Sequence, residues 1–258
     1  MAEQASASSS WDVVVAGAGA AGRAAALAAA QAGAETLLID LADRPGGALA
    51  AMGLWAGDDA DLAAAGARRS YRTTLVGVRA GLELRMLSPD GPRRAGAKAL
   101  VLASGGREQT RGNLLLPGTR PAGVLTAGAA LRLLTASGRL PGRRAVIAGP
   151  GRWADRAARE LAQAGIVLVE QATSVARIDG WPRVAGALLA DGLRVECDLL
   201  VLATPLLPWL TPTLADAASL PGVLVAGAAA HGEIDAAEAA ASGHVAGERA
   251  AQWAARGR

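Results

Sequence analysis

The 258-residue chain has no phenylalanine, one tyrosine (Tyr71), one cysteine (Cys197), one lysine (Lys98) and two histidines, His231 and His244. Each scarcity excludes something. A single cysteine rules out an internal disulfide, a CxxC redox pair and a cysteine-built metal centre. Cys197, in Glu196-Cys197-Asp198-Leu199-Leu200-Val201, reads as a small buried residue at a strand start. No Ser/His/Asp constellation or metal-ligand cluster stands out, so no catalytic residue and no metal site is assigned. His231 is a candidate proton relay, against the alternative of a surface loop histidine. With aromatics at only 3% of residues, the core rests on Leu, Val, Ile and Ala, with six tryptophans as the bulky exceptions.

Long hydrophobic runs and clustered charge are also missing. The longest uncharged run, Leu199–Ala215, contains Pro205, Pro208 and Pro212, which argues against a membrane span. Residues 1–10 are small and polar and lack the apolar core of a signal peptide, so a cytoplasmic protein is expected. The net charge is +3 and the pI 9.9. The basic residues are nearly all arginine and are scattered, with small pairs at Arg68-Arg69, Arg93-Arg94 and Arg143-Arg144. There is no basic helix face and no aromatic interleaving, so no nucleic-acid partner is expected.

Glycine is what the chain has, in two telling places. Gly17-Ala18-Gly19-Ala20-Ala21-Gly22 follows the apolar run Val13–Ala16, and Gly149-Pro150-Gly151-Arg152-Trp153-Ala154 follows Ala145–Ala148. Each loop opens an Ala-rich helical stretch, and each has an acid about 20 residues on, Asp40 and Glu170. This is the dinucleotide-binding pattern, twice. The first glycine permits a tight turn, the second lets the backbone approach a pyrophosphate, and the third lets helix and strand pack closely. The free N–H groups and dipole of the helix N-terminus then face the phosphates. An acid at the end of the second strand can accept the ribose hydroxyls. In the second loop Ala154 is an accepted third small residue, while Arg152 and Trp153 are bulky, and Trp153 is expected to obstruct the phosphates. The turn Arg44-Pro45-Gly46-Gly47 suits a second clamp on the pyrophosphate of the first site.

Strands are expected over 11–16, 36–40, 73–78, 82–87, 98–103, 144–148, 166–170, 173–178, 184–189, 193–195, 199–203 and 223–227. Helices are expected over 20–32, 59–69 (a helical piece), 126–137, 153–165 and 235–255, the last with Asp235 and Glu238 spaced for a capping box. Pro89-Asp90-Gly91-Pro92 reads as a turn, and 111–123 and 205–212 read as linkers. The order predicts an α/β fold of two Rossmann-like dinucleotide-binding domains, the NAD-like one inserted in the FAD-like one. The expected boundaries are 11–112 and 205–258 for the first domain and 113–204 for the second.

Together these features resemble the two-dinucleotide flavoproteins related to thioredoxin reductase, of the pyridine nucleotide-disulfide oxidoreductase kind. More narrowly, they resemble the FAD-containing alpha subunits of opine oxidase, hydrogen cyanide synthase and sarcosine oxidase type. The carrying segments are Val13–Gly22, Arg44–Gly47, Ala99–Glu108, Ala122–Ala129 and Pro141–Gly151. The resemblance implies that Gly17, Gly19, Ala20, Ala21, Gly22 and Asp40 hold the ADP half of FAD, with Arg44, Gly46 and Gly47 on the pyrophosphate side. Val76 matches the hairpin position whose backbone meets adenine, and Ala103, Ser104 and Gly105 match the crossover beside the flavin. Gly227 ends the last strand at the flavin, and Gly149, Gly151 and Glu170 take NAD. The family's last strand ends in Gly-Asp, whereas this chain has Gly227-Ala228, and the chain is shortened between Gly47 and Thr73. Two functions are implied. One is an FAD-dependent oxidoreductase or electron-transfer subunit, working with NAD, a partner subunit or a second copy of itself. The other is a non-catalytic nucleotide-binding or assembly subunit.

Overall fold

A computed structural model of the chain describes residues 9–55, 57–232 and 235–256. In chain order its elements are β1 (Ser9–Ala16), α1 (Ala20–Gln31), β2 (Thr36–Ile39), α2 (Gly47–Ala51), α3 (Ala60–Ala64), β3 (Arg68–Ser70), β4 (Thr74–Arg79), β5 (Glu83–Ser88), β6 (Gly91–Leu102), β7 (Gly106–Arg107), β8 (Val124–Thr126) and α4 (Ala127–Ser137). They continue with β9 (Arg144–Ala148), α5 (Arg152–Gln163), β10 (Val167–Ala172), β11 (Val175–Asp179), β12 (Gly186–Leu189), β13 (Arg194–Glu196), β14 (Leu199–Leu202), β15 (Leu207–Pro208), α6 (Pro212–Ala217), β16 (Val223–Val225), α7 (Ala228–His231) and α8 (Ala236–Arg256). The chain divides into two compact units. The first comprises the described residues to Ala50, Trp55–Gly106 and those from Pro208 on, and the second comprises Ala51–Leu54 and Arg107–Leu207.

In the first unit one sheet runs β3-β2-β1-β6-β5-β4, with β16 also on β6. Strands β3, β2, β1, the second half of β6 and β16 are mutually parallel. Val13, Val14 and Val15 are fully buried, as expected for a strand covered on both faces, which explains why β1 reads as a continuous apolar run and not an alternating one. One face packs on α1 and α8 through Val13, Val15, Ala25, Val101 and Ala250. The other carries Val14, Leu37, Leu84, Leu100 and Leu214. Helix α8 meets α1 backbone to backbone. A Cβ at Gly243 would lie 1.9 Å from the Ala21 carbonyl oxygen, and one at Gly247 would lie 2.2 Å from that of Ala25.

Several elements differ from expectation. The expected turn is present at Pro89-Asp90, between β5 and β6, but Gly91 and Pro92 already belong to the twelve-residue strand β6, which also contains the strand expected from Lys98. The first half of β6 pairs antiparallel with β5 and its second half parallel with β1. The helical piece over 59–69 stops after α3, and Arg68–Ser70 forms the parallel edge strand β3. That strand has no apolar alternation and exists because β2 offers it a partner. The segment after 205 is not all linker, because Pro212 opens α6 at a position where its missing N–H costs nothing. At α8 the Asp235 carboxylate accepts from the N–H groups of Ala237 and Glu238, at 2.8 and 3.2 Å.

The second unit has a four-stranded parallel sheet, β10-β9-β14-β8, and a three-stranded antiparallel sheet, β11-β12-β13. Val146, Ile178, Leu189 and Leu200 lie in its core. Among the described residues no helix is long and apolar enough to cross a membrane.

Candidate functional site

The first glycine loop is built by packing on three sides. Gly17 leaves β1 with φ +113°, and a Cβ there would lie 2.2 Å from the Ala103 carbonyl oxygen. Its N–H donates to the Ile39 carbonyl at 2.8 Å, and the Ala103 N–H donates to Ala16 at 2.8 Å. A Cβ at Gly22 would lie 1.6 Å from the Gly17 oxygen, so α1 approaches β1 as closely as backbone allows. Gly19 is different. It caps α1 with φ −73° and ψ −174°, angles open to any residue, and a Cβ there would meet nothing within 4 Å. The loop therefore leaves an opening at the N-terminus of a twelve-residue helix with no acid in its first turn. The unpaired amides and positive dipole end face that opening.

Asp40 follows β2 and is fixed beside this opening. One carboxylate oxygen accepts from the Ala18 N–H, and the other accepts from the Ala42 N–H at 2.7 Å. Each oxygen keeps a lone pair for a ribose hydroxyl. The Gly46 N–H donates to the Ala18 carbonyl at 2.9 Å, and a Cβ at Gly47 would come within 3.0 Å of the Gly19 Cα. The turn at 44–47 thus lies on the loop. Gly227, at φ +63°, closes the same region, since a Cβ there would lie 2.6 Å from that of Ala21. Its N–H donates to the Ser242 hydroxyl at 3.0 Å. Ala228 begins α7, and His231, at that helix's end, is exposed.

The structure therefore brings together Gly17, Gly19, Ala20, Ala21, Gly22, Asp40, Gly46, Gly47, Ala103 and Gly227. At the crossover, the Ser104 hydroxyl donates to the Trp209 carbonyl and the Trp209 N–H donates to Gly105 at 3.0 Å. Gly105, at φ +80°, has open space around it. Arg44 is exposed, and Val76, at 52% exposure, sits where the β4–β5 register shifts between Leu75 and Gly77. None of these contacts ties Arg44 or Val76 to the loop.

The second loop repeats the framework. A Cβ at Gly149 would lie 2.0 Å from the Ala203 carbonyl oxygen. The Gly149 N–H donates to Ala172 at 2.9 Å, and the Ala203 N–H to Ala148 at 2.7 Å. Gly151 caps α5 and has nothing within 4 Å of a built Cβ. These bonds match Gly17 to Gly149, Ala103 to Ala203 and Ile39 to Ala172. The residue matching Asp40 is then Thr173. Glu170 does not stand where the sequence spacing puts it. A bulge between Leu168 and Glu170 shifts the pairing, and Glu170 lies inside β10, two residues before its end. Its carboxylate accepts from the adjacent Gln171 N–H at 3.1 Å. The expected obstruction by Trp153 also needs correction. At 7% exposure its side chain packs into the core below α5, and Arg152 stays exposed.

Two clusters escaped the sequence reading. Arg23, buried on α1, pairs with Asp59 and Asp61 and lies over the Trp55 ring at 5.3 Å. The Tyr71 hydroxyl donates to Asp59. Burial, and then the Asp59 hydrogen bond, raises the Tyr71 phenol well above its ordinary range. The cluster anchors Trp55, Asp59 and Asp61 to α1. The only signal is an arginine directly after Gly22 and a carboxylate pair 36 residues on, a spacing with no local meaning. Second, Glu108 accepts from the Gly128 N–H and the Thr126 hydroxyl, both at 2.6 Å, and pairs with Arg132 at 3.3 Å. It caps α4 and joins the two segments 99–108 and 122–129. Cys197 is buried, as expected, and its thiol is pushed up to about 11 by burial and then by the Asp198 charge.

No curated protein matches the chain. Among solved structures it is similar to L-proline dehydrogenase from P. horikoshii, with 22% identity and a TM-score of 0.68 over 92% of this chain and 54% of that one. It is also similar to thioredoxin reductase from Lactococcus lactis, with 16% identity and a TM-score of 0.70 over 95% of this chain and 99% of that one. The chain thus spans about half the proline dehydrogenase chain and nearly all of the thioredoxin reductase chain. These likenesses show an α/β fold with the two dinucleotide-binding domains of thioredoxin reductase. The family model described as FAD dependent oxidoreductase matches residues 12–148, a span that holds the first glycine loop, Asp40 and the crossover. That span is more than half of the chain, and the chain belongs to the FAD dependent oxidoreductase family.

Proposed function

We propose that the chain is an FAD-dependent oxidoreductase subunit that passes electrons between flavin and a second carrier, either NAD or the cofactor of a partner subunit. The observation that carries this reading is the opening at Gly19, with the α1 N-terminus on one side and Asp40 on the other. The residues fit the ADP half of FAD. The amides after Gly19 donate to the pyrophosphate, Asp40 accepts from the ribose, and Gly46 and Gly47 hold the turn against the loop. Ala103, Ser104 and Gly105 lie at the crossover on the flavin side, where Trp209 fixes the backbone. Bound FAD supplies the redox chemistry, and the protein orients the cofactor and tunes its field.

The partner reading rests on likeness to one chain of a proline dehydrogenase. The second loop has the backbone for a pyrophosphate, but the position matching Asp40 is Thr173, so no carboxylate selects a ribose diol there. Together with Ala228 in place of the family's aspartate, this supports the second reading, a nucleotide-binding or assembly subunit without turnover. The visible spectrum of the purified protein, before and after FAD and then NADH under anaerobic conditions, decides between them. A flavin band bleached by NADH supports transfer through both sites. A band that NADH leaves intact supports a partner-fed subunit. No flavin retained after incubation with excess FAD refutes the oxidoreductase reading.

A further inference from the structure

We propose that the second unit binds a small carboxylate with an apolar body, in a cavity at the carboxyl ends of β8 and β14. The cavity has a volume of about 610 Å³ and is lined by Arg111, Arg120, Leu115, Leu116, Val124 and Leu202, among others. That volume lies within the range of small-molecule sites. Crevices beyond the carboxyl ends of parallel strands are where open α/β sheets take ligands. No residue of the Gly149 loop lines it, and neither does Thr173.

The charge in the cavity is one-sided. Two arginines line it and no aspartate or glutamate does. The Arg111 guanidinium is held by the Leu116 carbonyl, at 3.0 and 2.9 Å, and by the Gly118 carbonyl at 2.8 Å. Its remaining nitrogen, Nη1, is screened from solvent and has no partner among the described residues. Carbonyls orient this cation without neutralising it, so Arg111 acts on a ligand through its charge and not through a free N–H. Arg120 is exposed and has no carboxylate partner among the described residues. It is free to donate both arms of its fork to a carboxylate.

The rest of the wall is apolar and part of it is strained. Leu115 is 86% exposed and sits at φ +51°. A leucine in the left-handed region with its side chain in water is unfavourable twice over, and such residues concentrate at ligand sites. Leu116, Val124 and Leu202 extend the same apolar surface inward. A bare inorganic anion would use the arginines and leave that surface wet. An alcohol would cover it and leave the arginines uncompensated.

Isothermal titration of the full chain with octanoate tests this, with acetate, 1-octanol and inorganic phosphate as comparisons. Octanoate should bind one site with a dissociation constant of about 1 mM or tighter. Acetate, 1-octanol and phosphate should each bind at least about tenfold more weakly. R120A should weaken octanoate about tenfold with an unchanged far-ultraviolet spectrum, and R120K should recover part of the loss. Absence of octanoate binding at about 10 mM overturns the proposal. So does 1-octanol or phosphate binding as tightly as octanoate, or an R120A variant that binds as well as the parent.

Discussion

Gly19→Ala separates the demands of folding from those of the cofactor. The backbone angles at Gly19 suit alanine, and the added methyl meets no atom within 4 Å. Two small terms then oppose each other. Alanine is a poorer N-cap than glycine by about 0.5 kcal/mol. Restricting the unfolded chain restores about 0.4–1 kcal/mol. The net change should stay within about 0.5 kcal/mol, which is a Tm shift of no more than about 2 °C for a chain of this size. The methyl occupies the space through which a pyrophosphate approaches the α1 amides. Losing or lengthening one charge-assisted hydrogen bond costs about 1.5–3 kcal/mol, which is about a tenfold to hundredfold loss of FAD affinity. Gly22→Ala is the control. Its Cβ would sit 1.6 Å from the Gly17 carbonyl oxygen, a backbone atom. The helix must move, at a cost of about 1–3 kcal/mol. Calorimetry and flavin fluorescence quenching on both variants give the answer. A Gly19→Ala variant that holds FAD like the parent refutes the placement of the pyrophosphate. One that unfolds with Gly22→Ala refutes the open geometry of the loop.

Three further outcomes are expected. Tyr71 is the only tyrosine, so absorbance near 295 nm reports it alone. Burial and Asp59 raise its folded pKa, so its contribution to stability is complete below the unfolded value of about 10 and is lost as pH climbs above it. The native protein should show no tyrosinate at pH values where the guanidinium-unfolded protein does, and D59N should bring ionisation to lower pH. The Cys197 thiol, at about 11, should be silent to a disulfide reagent near pH 8 and react fully once urea is added. Gly247→Ala, whose methyl would lie 2.2 Å from the Ala25 carbonyl oxygen, should destabilise the first unit by about 1–3 kcal/mol in urea titration, by forcing α8 off α1.

Both glycine loops were legible because their constraints are short-range. A strand, a turn that only glycine can make and a helix start are encoded within about ten residues. Their hydrogen-bond lattices match bond for bond, from Gly17 and Gly149 to Ala103 and Ala203. Other features were legible only in part. The glycines at 243 and 247 are plain in the sequence, but nothing local says that the carbonyls of Ala21 and Ala25 lie against them. The lysine at 98 is conspicuous as the only one, yet its ion pair with Asp12 at 2.7 Å joins residues 86 positions apart.

The sequence by itself determined the α/β class, the repeated loop and the acid that flanks the first of them. Residue size and backbone permission decide those features, and both are properties of the local chain. Tertiary structure decided the rest. Strand register placed Glu170 inside an edge strand, three residues short of Thr173 at the position matching Asp40; one bulge supplies a single residue of that offset, and register depends on a partner strand. Core packing turned Trp153 inward, where the sequence showed only a bulky residue beside a glycine. Long-range pairing set Arg23 on Asp59 and left Arg111 and Arg120 facing one cavity without a counter-charge. Charge and burial acquire chemical meaning only once distant segments are brought within a few ångströms of one another.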